Sequence, residues 1–292
     1  MIDDVTHSIT VTGSMKATPQ SVELRAIAQR IADALPATVD EVVVTGSVSR
    51  GVADDVSDIE MLVVTHGETD LEECFSLAAE CGLTDLGTWG RQSMPTKRVS
   101  GYREGVPIEL IWWSRAHAET AIDAVFVDDL SATADAIANG VGLRTSGLLA
   151  QWQERLSHYP DELAAARIED GALTWGGFAP AGLLTIIRPG ERLALVERMV
   201  DDASRVVRIV FAVNRVWQPT LKRLADRAAT LAHKPERLAE RIEEALTEPD
   251  PLRAVVLMTE LQAETVALAP DGPNIIRARK WLADALEILR GR

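Results

Sequence analysis

Apolar and polar positions follow two different periods along this chain. Short apolar runs with strand character occupy residues 41–46, 59–65, 97–104 and 107–114, and the last two runs are joined by a short turn at Glu104-Gly105. Helices are predicted from Thr18-Pro19, a capping residue and a first-turn proline, to Pro36, and again at 69–82. The pattern therefore predicts that roughly the first 115 residues form a small domain of strands and helices.

Beyond Arg115 the pattern becomes helical. From Glu191 to Phe211 apolar residues recur at helical spacing, and Pro189-Gly190 opens the segment. Further helices are predicted at 119–138, 144–157, 161–173, 220–232, 235–247, 251–268 and 274–290, with prolines between several of them. The Gly- and Pro-rich span from Trp175 to Gly190 is expected to be a long loop. A helical bundle is the fold expected for this second part.

Length, hydrophobicity and cysteine content indicate what kind of protein this is. The chain has 292 residues, enough for two domains, and no apolar run long enough to span a membrane. It begins Met1-Ile2-Asp3-Asp4, which is acidic where a secretory signal is basic, so we expect a cytoplasmic protein without a membrane partner. Cys74 and Cys81 lie seven residues apart on a predicted helix, too far for a disulfide, and are expected to be core thiols.

The net charge of the chain limits the classes of molecule that it is expected to bind. Against 30 basic residues there are 44 acidic ones, a net charge of −14, which argues against broad nucleic-acid binding. From Ala203 to Ala225, however, the sequence has five basic residues and no acid: Arg205, Arg208, Arg215, Lys222 and Arg223. The acidic remainder would suit a cationic substrate, although solubility alone also explains it.

The segment with the most chemistry reads VVVTGSVSRGVADDVSDIEMLVV, from Val42 to Val64. Gly46 lacks a Cβ, so backbone amides can approach a phosphate, and Ser47 adds a hydroxyl where a helix is predicted to begin. Asp58 and Glu60 alternate with apolar residues, so a strand would point both carboxylates to one face. A hard divalent cation such as Mg²⁺ would remove their mutual repulsion and leave positions open for phosphate oxygens. The alternative is a solvated edge strand after an ordinary turn.

The sequence contains a control for this motif. Val-Thr-Gly-Ser occurs at 11–14 as well as at 44–47, but no paired carboxylates follow the first copy. We therefore interpret the first copy as an ordinary turn before a helix.

A third acid lies in an apolar strand. Glu109 stands in the middle of the run from Val106 to Trp113, and buried carboxylates are rare unless they are paired or bind a cation. If this strand lies beside the one that carries Asp58 and Glu60, the three carboxylates could hold one or two metal ions. An edge strand with Glu109 facing water is the alternative.

Three basic residues are candidates to contact the phosphates. Arg50 follows Ser47 by three residues, and Arg215 and Lys222 flank the break at Pro219. The alternatives are a surface arginine and two solvated helix ends. No spacing distinguishes a general base among Glu154, Glu162, Glu169 and Asp170.

Gly46-Ser47, Arg50-Gly51, Ser57-Asp58-Ile59-Glu60 and Glu109 together resemble the signature of the DNA polymerase β-type nucleotidyltransferases, in particular the kanamycin nucleotidyltransferase-like enzymes. The resemblance covers residues 40–115. It implies an α+β fold with a twisted mixed sheet and helices, followed by the helical bundle. It also implies that Asp58, Glu60 and Glu109 are metal ligands and that Gly46 and Ser47 hold the β- and γ-phosphates.

With the helical pattern beyond Arg115, a catalytic domain is expected at 1–118 and a helical domain at 119–292 that closes over substrate and nucleotide. The expected reaction is transfer of a nucleotide from a nucleoside triphosphate, with Mg²⁺, to an acceptor hydroxyl, with release of pyrophosphate. A small, aminoglycoside-like or metabolite acceptor is preferred. The alternatives are an RNA or protein acceptor, for which the basic stretch is the motive, and a nucleotide-binding module without catalysis. An oligomer that shares its active site is compatible with the resemblance.

Overall fold

The computed structural model describes residues 17–89, 93–128 and 130–292, so the first Val-Thr-Gly-Ser copy at 11–14 lies outside the described residues. The chain forms two compact units. The first, the sheet unit, comprises the described part of Met1–Asp123 together with Ala136–Arg155, and the second, the helical unit, comprises Ala124–Asp135 with Leu156–Arg292. The predicted domains 1–118 and 119–292 stay a prediction.

The sheet unit contains a six-stranded sheet in the order β3-β4-β5-β2-β1-β6. The strands are β1 (Val39–Val44), β2 (Ile59–Thr65), β3 (Thr84–Gly87), β4 (Lys97–Arg103), β5 (Val106–Ser114) and β6 (Val141–Arg144). β2 and β5 pair in parallel and the other neighbours are antiparallel, so the sheet is mixed, as expected. The four predicted strands are β1, β2, β4 and β5. β3 and β6 have four residues each, too few to give an apolar run in the sequence.

Helices precede, separate and follow the strands along the chain. They are α1 (Pro19–Ala34), α2 (Gly46–Arg50), α3 (Leu71–Glu80), α4 (Arg115–Val125), α5 (Ser131–Ala138), α6 (Leu148–Ser157), α7 (Asp161–Ala172), α8 (Leu183–Ile186), α9 (Arg192–Val213), α10 (Leu224–Ala229), α11 (Leu238–Thr247), α12 (Pro251–Leu268) and α13 (Pro273–Arg290). Thr18 caps α1, its Oγ1 accepting from the Ser21 amide at 3.1 Å, which confirms the predicted start. The span Trp175–Gly190 contains a short 3₁₀ turn and α8 rather than only loop.

Strand β2 is buried on both faces. Ile59, Met61 and Val63 face the apolar core that α1 and α3 build with the sheet. By alternation Leu62 and Val64 point to the opposite face, where they are also buried. Glu60 shares this second face and is half-buried, so β2 carries one charged side chain, at the end where the strand begins.

Glu41 fastens residues 136–155 to this sheet. It lies on β1 with 0% of its surface exposed. Its Oε2 accepts hydrogen bonds from the Ser146 amide at 2.8 Å, the Ser146 hydroxyl at 3.0 Å and the Leu148 amide at 3.2 Å. These donors lie at the start of α6, where free amides and the helix dipole favour an anion. Sheet and α6 are thereby joined by one buried carboxylate.

The helical unit is organised around α9. This 22-residue helix contacts α7, α11 and α12, and one apolar core extends through the unit from Ile168 to Leu289. The expected helical region after the sheet is therefore present, and the prediction at 251–268 has the bounds of α12. No helix in the described ranges has both the length and the apolar character needed to cross a membrane.

The predicted helix at 119–138 is two helices, α4 and α5, and a buried arginine explains the break. Arg167 on α7 is 8% exposed, and its Nη2 donates to the carbonyls of Val125 at 3.1 Å and Asp128 at 3.2 Å. Its Nη1 donates to the Ser131 hydroxyl. The guanidinium thus binds carbonyls that would accept hydrogen bonds from backbone amides in a continuous helix. This contact cannot be predicted from the local periodicity of the sequence.

Both cysteines are buried and free, which confirms the interpretation as core thiols. Burial raises the pKa of the Cys74 thiol to about 12 and also raises the pKa of Cys81. Because the thiolate is the reactive form, neither side chain is suited to act as a nucleophile.

Replacement of Glu41 by Ala should lower the free energy of unfolding by about 3 kcal/mol, because three donors, of which the Leu148 amide is buried, lose their acceptor. Glu41→Gln keeps one acceptor oxygen and should cost about 1 kcal/mol. Urea unfolding followed by circular dichroism measures both. Glu23→Ala, which removes an exposed acid from α1, is the matched control, and equal effects of Glu41→Ala and Glu23→Ala would contradict the anchoring role.

Candidate active site

The turn after β1 brings Gly46 against the carboxylate of Glu60. Thr45 extends the pairing of β1 with β2, its amide donating to the Glu60 carbonyl at 2.9 Å. Gly46 then has φ +68°, and a Cβ built on it would lie 2.4 Å from Glu60 Oε2. A side chain at this position is therefore disfavoured by the backbone conformation, and Glu60 would have to move to accommodate it.

The two predicted carboxylates of the SDIE motif lie at the start of β2. Asp58 immediately precedes the strand rather than lying within it, and both Asp58 and Glu60 are half-buried. Ile59 and Met61, which alternate with them, are 0% exposed. The alternation that the sequence predicts is therefore present.

Glu109 lies beside Glu60, as the sequence analysis required. β5 pairs with β2 in parallel, and Glu60 and Glu109 are directly in register on the same face of the sheet. The Glu109 side chain is 20% exposed. Its Oε1 accepts from Arg98 Nη1 at 3.0 Å and from Trp89 Nε1 at 3.1 Å. The edge-strand alternative for Glu109 does not hold, because β4 and β2 flank β5 on either side.

These two carboxylates lean in opposite directions. Glu60 approaches Gly46, at the end of β1, whereas Glu109 is bound by Arg98 on β4, and these two strands lie on opposite sides of the β2–β5 pair. Within the described residues, no three or more His, Cys, Asp or Glu side chains are grouped so as to hold a metal ion. Carboxylate oxygens are the donors that Mg²⁺ prefers, so the donor set of Asp58, Glu60 and Glu109 fits this ion chemically. To offer Oε1 to the ion, Glu109 would have to give up its hydrogen bonds from Arg98 and Trp89.

Arg50 and Arg25 hold the short helix α2 in place. Arg50 Nη1 donates to the Gly46 carbonyl at 3.1 Å, which places this predicted phosphate contact beside the turn. Arg25 Nη2 donates to the carbonyls of Val48 at 3.1 Å and Ser49 at 3.2 Å, at the other end of α2. Ser47 is half-buried. The sequence gives no signal for Arg25, because the contact joins α1 to a turn more than twenty residues away.

Arg98 is the functional candidate that the sequence analysis missed, although the signal was present. The two-residue turn at Glu104-Gly105 pairs Arg103 with Val106, which sets Ser100 opposite Glu109. Arg98 is then the diagonal neighbour of Glu109 on the same face, within reach of a long side chain. The predicted hairpin therefore implied this ion pair.

Arg215 and Lys222 lie in the helical unit, and their predicted contact with a triphosphate stays a prediction. Arg215 Nε donates to Asp161 Oδ1 at 2.6 Å, and Lys222 is exposed. The basic stretch of which they are part is largely paired with acids from outside it. Arg205 binds Asp201, and Arg208 binds Asp170.

Several other polar side chains have structural partners. Among the acids considered as a general base, Glu169 Oε2 accepts from the Asn274 amide at 2.8 Å, at the start of α13, and Asp170 pairs with Arg208. Asn214 caps α9 and exchanges hydrogen bonds with the His233 backbone. Trp217 is buried, its Nε1 donating to the Leu156 carbonyl at 2.7 Å.

No protein-family model matches this chain, and no curated protein matches it. Fourteen chains of solved structures do match. One is a nucleotidyltransferase-like protein from Exiguobacterium sibiricum, which is 13% identical, with a TM-score of 0.31 over 94% of this chain and 80% of that one. At this TM-score the likeness assigns no residue a role, so the chemistry is argued from the side chains of this chain.

Gly46→Ala should lower the free energy of unfolding by about 1 kcal/mol, the cost of a left-handed conformation for a residue with a Cβ. Gly105→Ala is the matched control, because Gly105 has φ +80° and nothing within 4 Å of its built Cβ. Any additional loss in Gly46→Ala measures the clash with Glu60 and should disappear when Glu60 is also replaced by Ala. If the additional loss persisted in the double variant, the approach of Glu60 to Gly46 would not be its cause.

Proposed function

We propose that this protein is a nucleotidyltransferase, which transfers a nucleotide from a nucleoside triphosphate to an acceptor hydroxyl. The observation that carries the proposal is the parallel register of Glu60 with Glu109, next to a turn whose glycine has φ +68° and lies against Glu60. Carboxylates next to a turn that is open to phosphate are the oxygen donors that Mg²⁺ takes in phosphate-binding sites, which supports a cationic ligand at this point.

The Gly46 turn is the proposed phosphate site. Without a Cβ on Gly46, the backbone of the turn is open to phosphate oxygens, and Ser47 supplies a hydroxyl donor next to it. Arg50 lies with its guanidinium on the Gly46 carbonyl, close enough to add positive charge to the same turn. Together they would bind the β- and γ-phosphates.

Asp58, Glu60 and Glu109 would hold Mg²⁺. When bound, this ion would neutralise phosphate charge and polarise the α-phosphate. In the proposed reaction the acceptor oxygen forms a bond to the α-phosphorus and the bond between that phosphorus and the αβ-bridging oxygen breaks. Pyrophosphate leaves with the electron pair, and the acceptor proton passes to a base that we do not assign.

A small, cationic acceptor is the proposed substrate class. The net charge of −14 favours cationic molecules over nucleic acid. The motive for an RNA acceptor was the basic stretch, and its Arg205, Arg208 and Arg215 are neutralised by Asp201, Asp170 and Asp161. The structure therefore gives less support to RNA than the sequence did.

Asp58→Asn should reduce nucleotide transfer by roughly a thousandfold, because it removes a charged ligand of the proposed cation. The measurement is pyrophosphate release with each of the four triphosphates and a panel of acceptors. Asp55→Asn changes an exposed acid of the same loop and should leave the rate unchanged. Near-normal transfer by Asp58→Asn would show that the carboxylate assignment is wrong.

With α-labelled triphosphates, label should appear in small amino-containing hydroxyl compounds such as aminoglycosides and not in total tRNA or in protein. The two substrate classes are separated by acid precipitation, which leaves small products in solution. Label in the RNA or protein precipitate would replace the small-molecule acceptor by a macromolecule, while Asp58 kept the same role.

A further inference from the structure

We propose that Arg98 and Trp89 are positioning residues that hold Glu109 apart from Glu60 until a divalent cation takes their place. Together they are called the Glu109 clamp. The inference rests on the proposed function, because it concerns the cation that this function requires. It assigns a role to two residues that are not themselves ligands.

The clamp is built by the β4–β5 hairpin. Ser100 lies opposite Glu109, and Arg98 is two residues further along β4, on the same face. Its Nη1 donates to Glu109 Oε1 at 3.0 Å, and the pair is only 29% and 20% exposed. A charge-assisted hydrogen bond with this degree of burial is stronger than one between solvated side chains.

Trp89 adds a second donor to the same oxygen. Its Nε1 donates to Glu109 Oε1 at 3.1 Å, and the Arg98 guanidinium lies 4.0 Å from the centre of the indole ring. The three side chains therefore form a closed set in which each contacts the other two. Trp89 is 59% exposed, so its ring can move without disturbing the core.

The clamp also explains how Glu60 and Glu109 tolerate each other. Their strands pair in register, so without partners the two carboxylates would repel at close range. Arg98 neutralises Glu109 from the β4 side, while Glu60 is turned towards Gly46 on the β1 side. A cation that binds Glu109 through Oε1 must displace the Arg98 and Trp89 donors from that oxygen.

A divalent cation can compete with Arg98 for this oxygen. Mg²⁺ carries two charges and approaches a carboxylate oxygen to roughly 2.1 Å, whereas the Arg98 nitrogen lies at 3.0 Å. The cation must lose water to do so, and this cost makes the competition close. Removal of Arg98 should therefore make cation binding tighter, the opposite of what loss of a ligand or of a merely structural residue would do.

The test is titration of Mn²⁺ into the full chain with a non-hydrolysable nucleoside triphosphate, followed by calorimetry. Arg98→Ala should bind Mn²⁺ about tenfold more tightly than wild type, since Glu109 no longer has a competing charge. Arg98→Lys retains the charge and should lie between the two. Unchanged or weaker Mn²⁺ binding by Arg98→Ala would overturn the proposal.

Two controls separate release of Glu109 from a general change in charge. Arg30→Ala removes an arginine that pairs with Glu104, at the tip of the same hairpin, and should leave Mn²⁺ affinity unchanged. In a Glu109→Gln background, Arg98→Ala should have no effect. A tenfold gain in that background would mean that Arg98 acts through the overall field and not through Glu109.

Trp89 provides a spectroscopic signal. The chain has seven tryptophans, so the Trp89 contribution is the difference in fluorescence between wild type and Trp89→Phe. Addition of Mg²⁺ with the nucleotide analogue should change this difference as the indole loses Glu109. A difference spectrum that does not respond to Mg²⁺, although calorimetry shows binding, would mean that the clamp stays closed.

Failure of this inference can be told from failure of the proposed function. If Mn²⁺ binds and depends on Asp58 but Arg98→Ala has no effect, only the clamp is wrong. If neither wild type nor Arg98→Ala binds Mn²⁺ with the nucleotide analogue, both are wrong. Thermal unfolding of each variant shows whether it is folded, and Arg98→Lys keeps the test available if Arg98→Ala is not.

Discussion

The parallel pairing of β2 with β5 is the constraint on which the candidate site depends. Of the seven pairs in this ladder, the Glu60–Glu109 pair alone is charged, and both members carry the same sign. The apolar pairs that follow, from Met61–Leu110 to Val64–Trp113, fix the register, since a shift by one residue would turn buried side chains to the opposite face. Core packing thus fixes two acidic residues at neighbouring positions of the sheet, although their like charges do not favour this arrangement. Such local conflicts with stability are expected at functional sites.

Four other buried or half-buried charges have a different task, which is to satisfy backbone groups. Glu41 binds amides at the start of α6, Glu169 binds the start of α13, and Arg25 and Arg167 bind carbonyls at the end of α2 and at the α4–α5 break. Each replaces a hydrogen bond that the fold would otherwise lack. Glu109, in contrast, accepts hydrogen bonds from the side chains of Arg98 and Trp89, which can move more easily than backbone groups.

Sequence patterns predicted the elements whose formation depends on interactions between residues close together in the chain. The cap at Thr18, the strands β1, β2, β4 and β5, and helix α12 were predicted because alternation, prolines and capping residues act within a few residues. The break between α4 and α5 was not, because it depends on Arg167, some forty residues away. At the site, the neighbourhood of Glu60 and Glu109 was anticipated, whereas the Arg98 contact required the hairpin register to be worked through from Glu104-Gly105.

The basic stretch shows why charge counted along a sequence differs from charge in space. Arg205, Arg208 and Arg215 form a run without acids in the sequence, yet each pairs with an aspartate that lies before the run. A chain of net charge −14 that neutralises its basic run in this way has little diffuse positive field to attract a triphosphate. Attraction must then come from short-range donors and from a cation held between carboxylates. A site that binds its anionic substrate through such a cation should depend on divalent ions more steeply than on ionic strength, because contacts at 2–3 Å are screened far less than a field acting over about 10 Å.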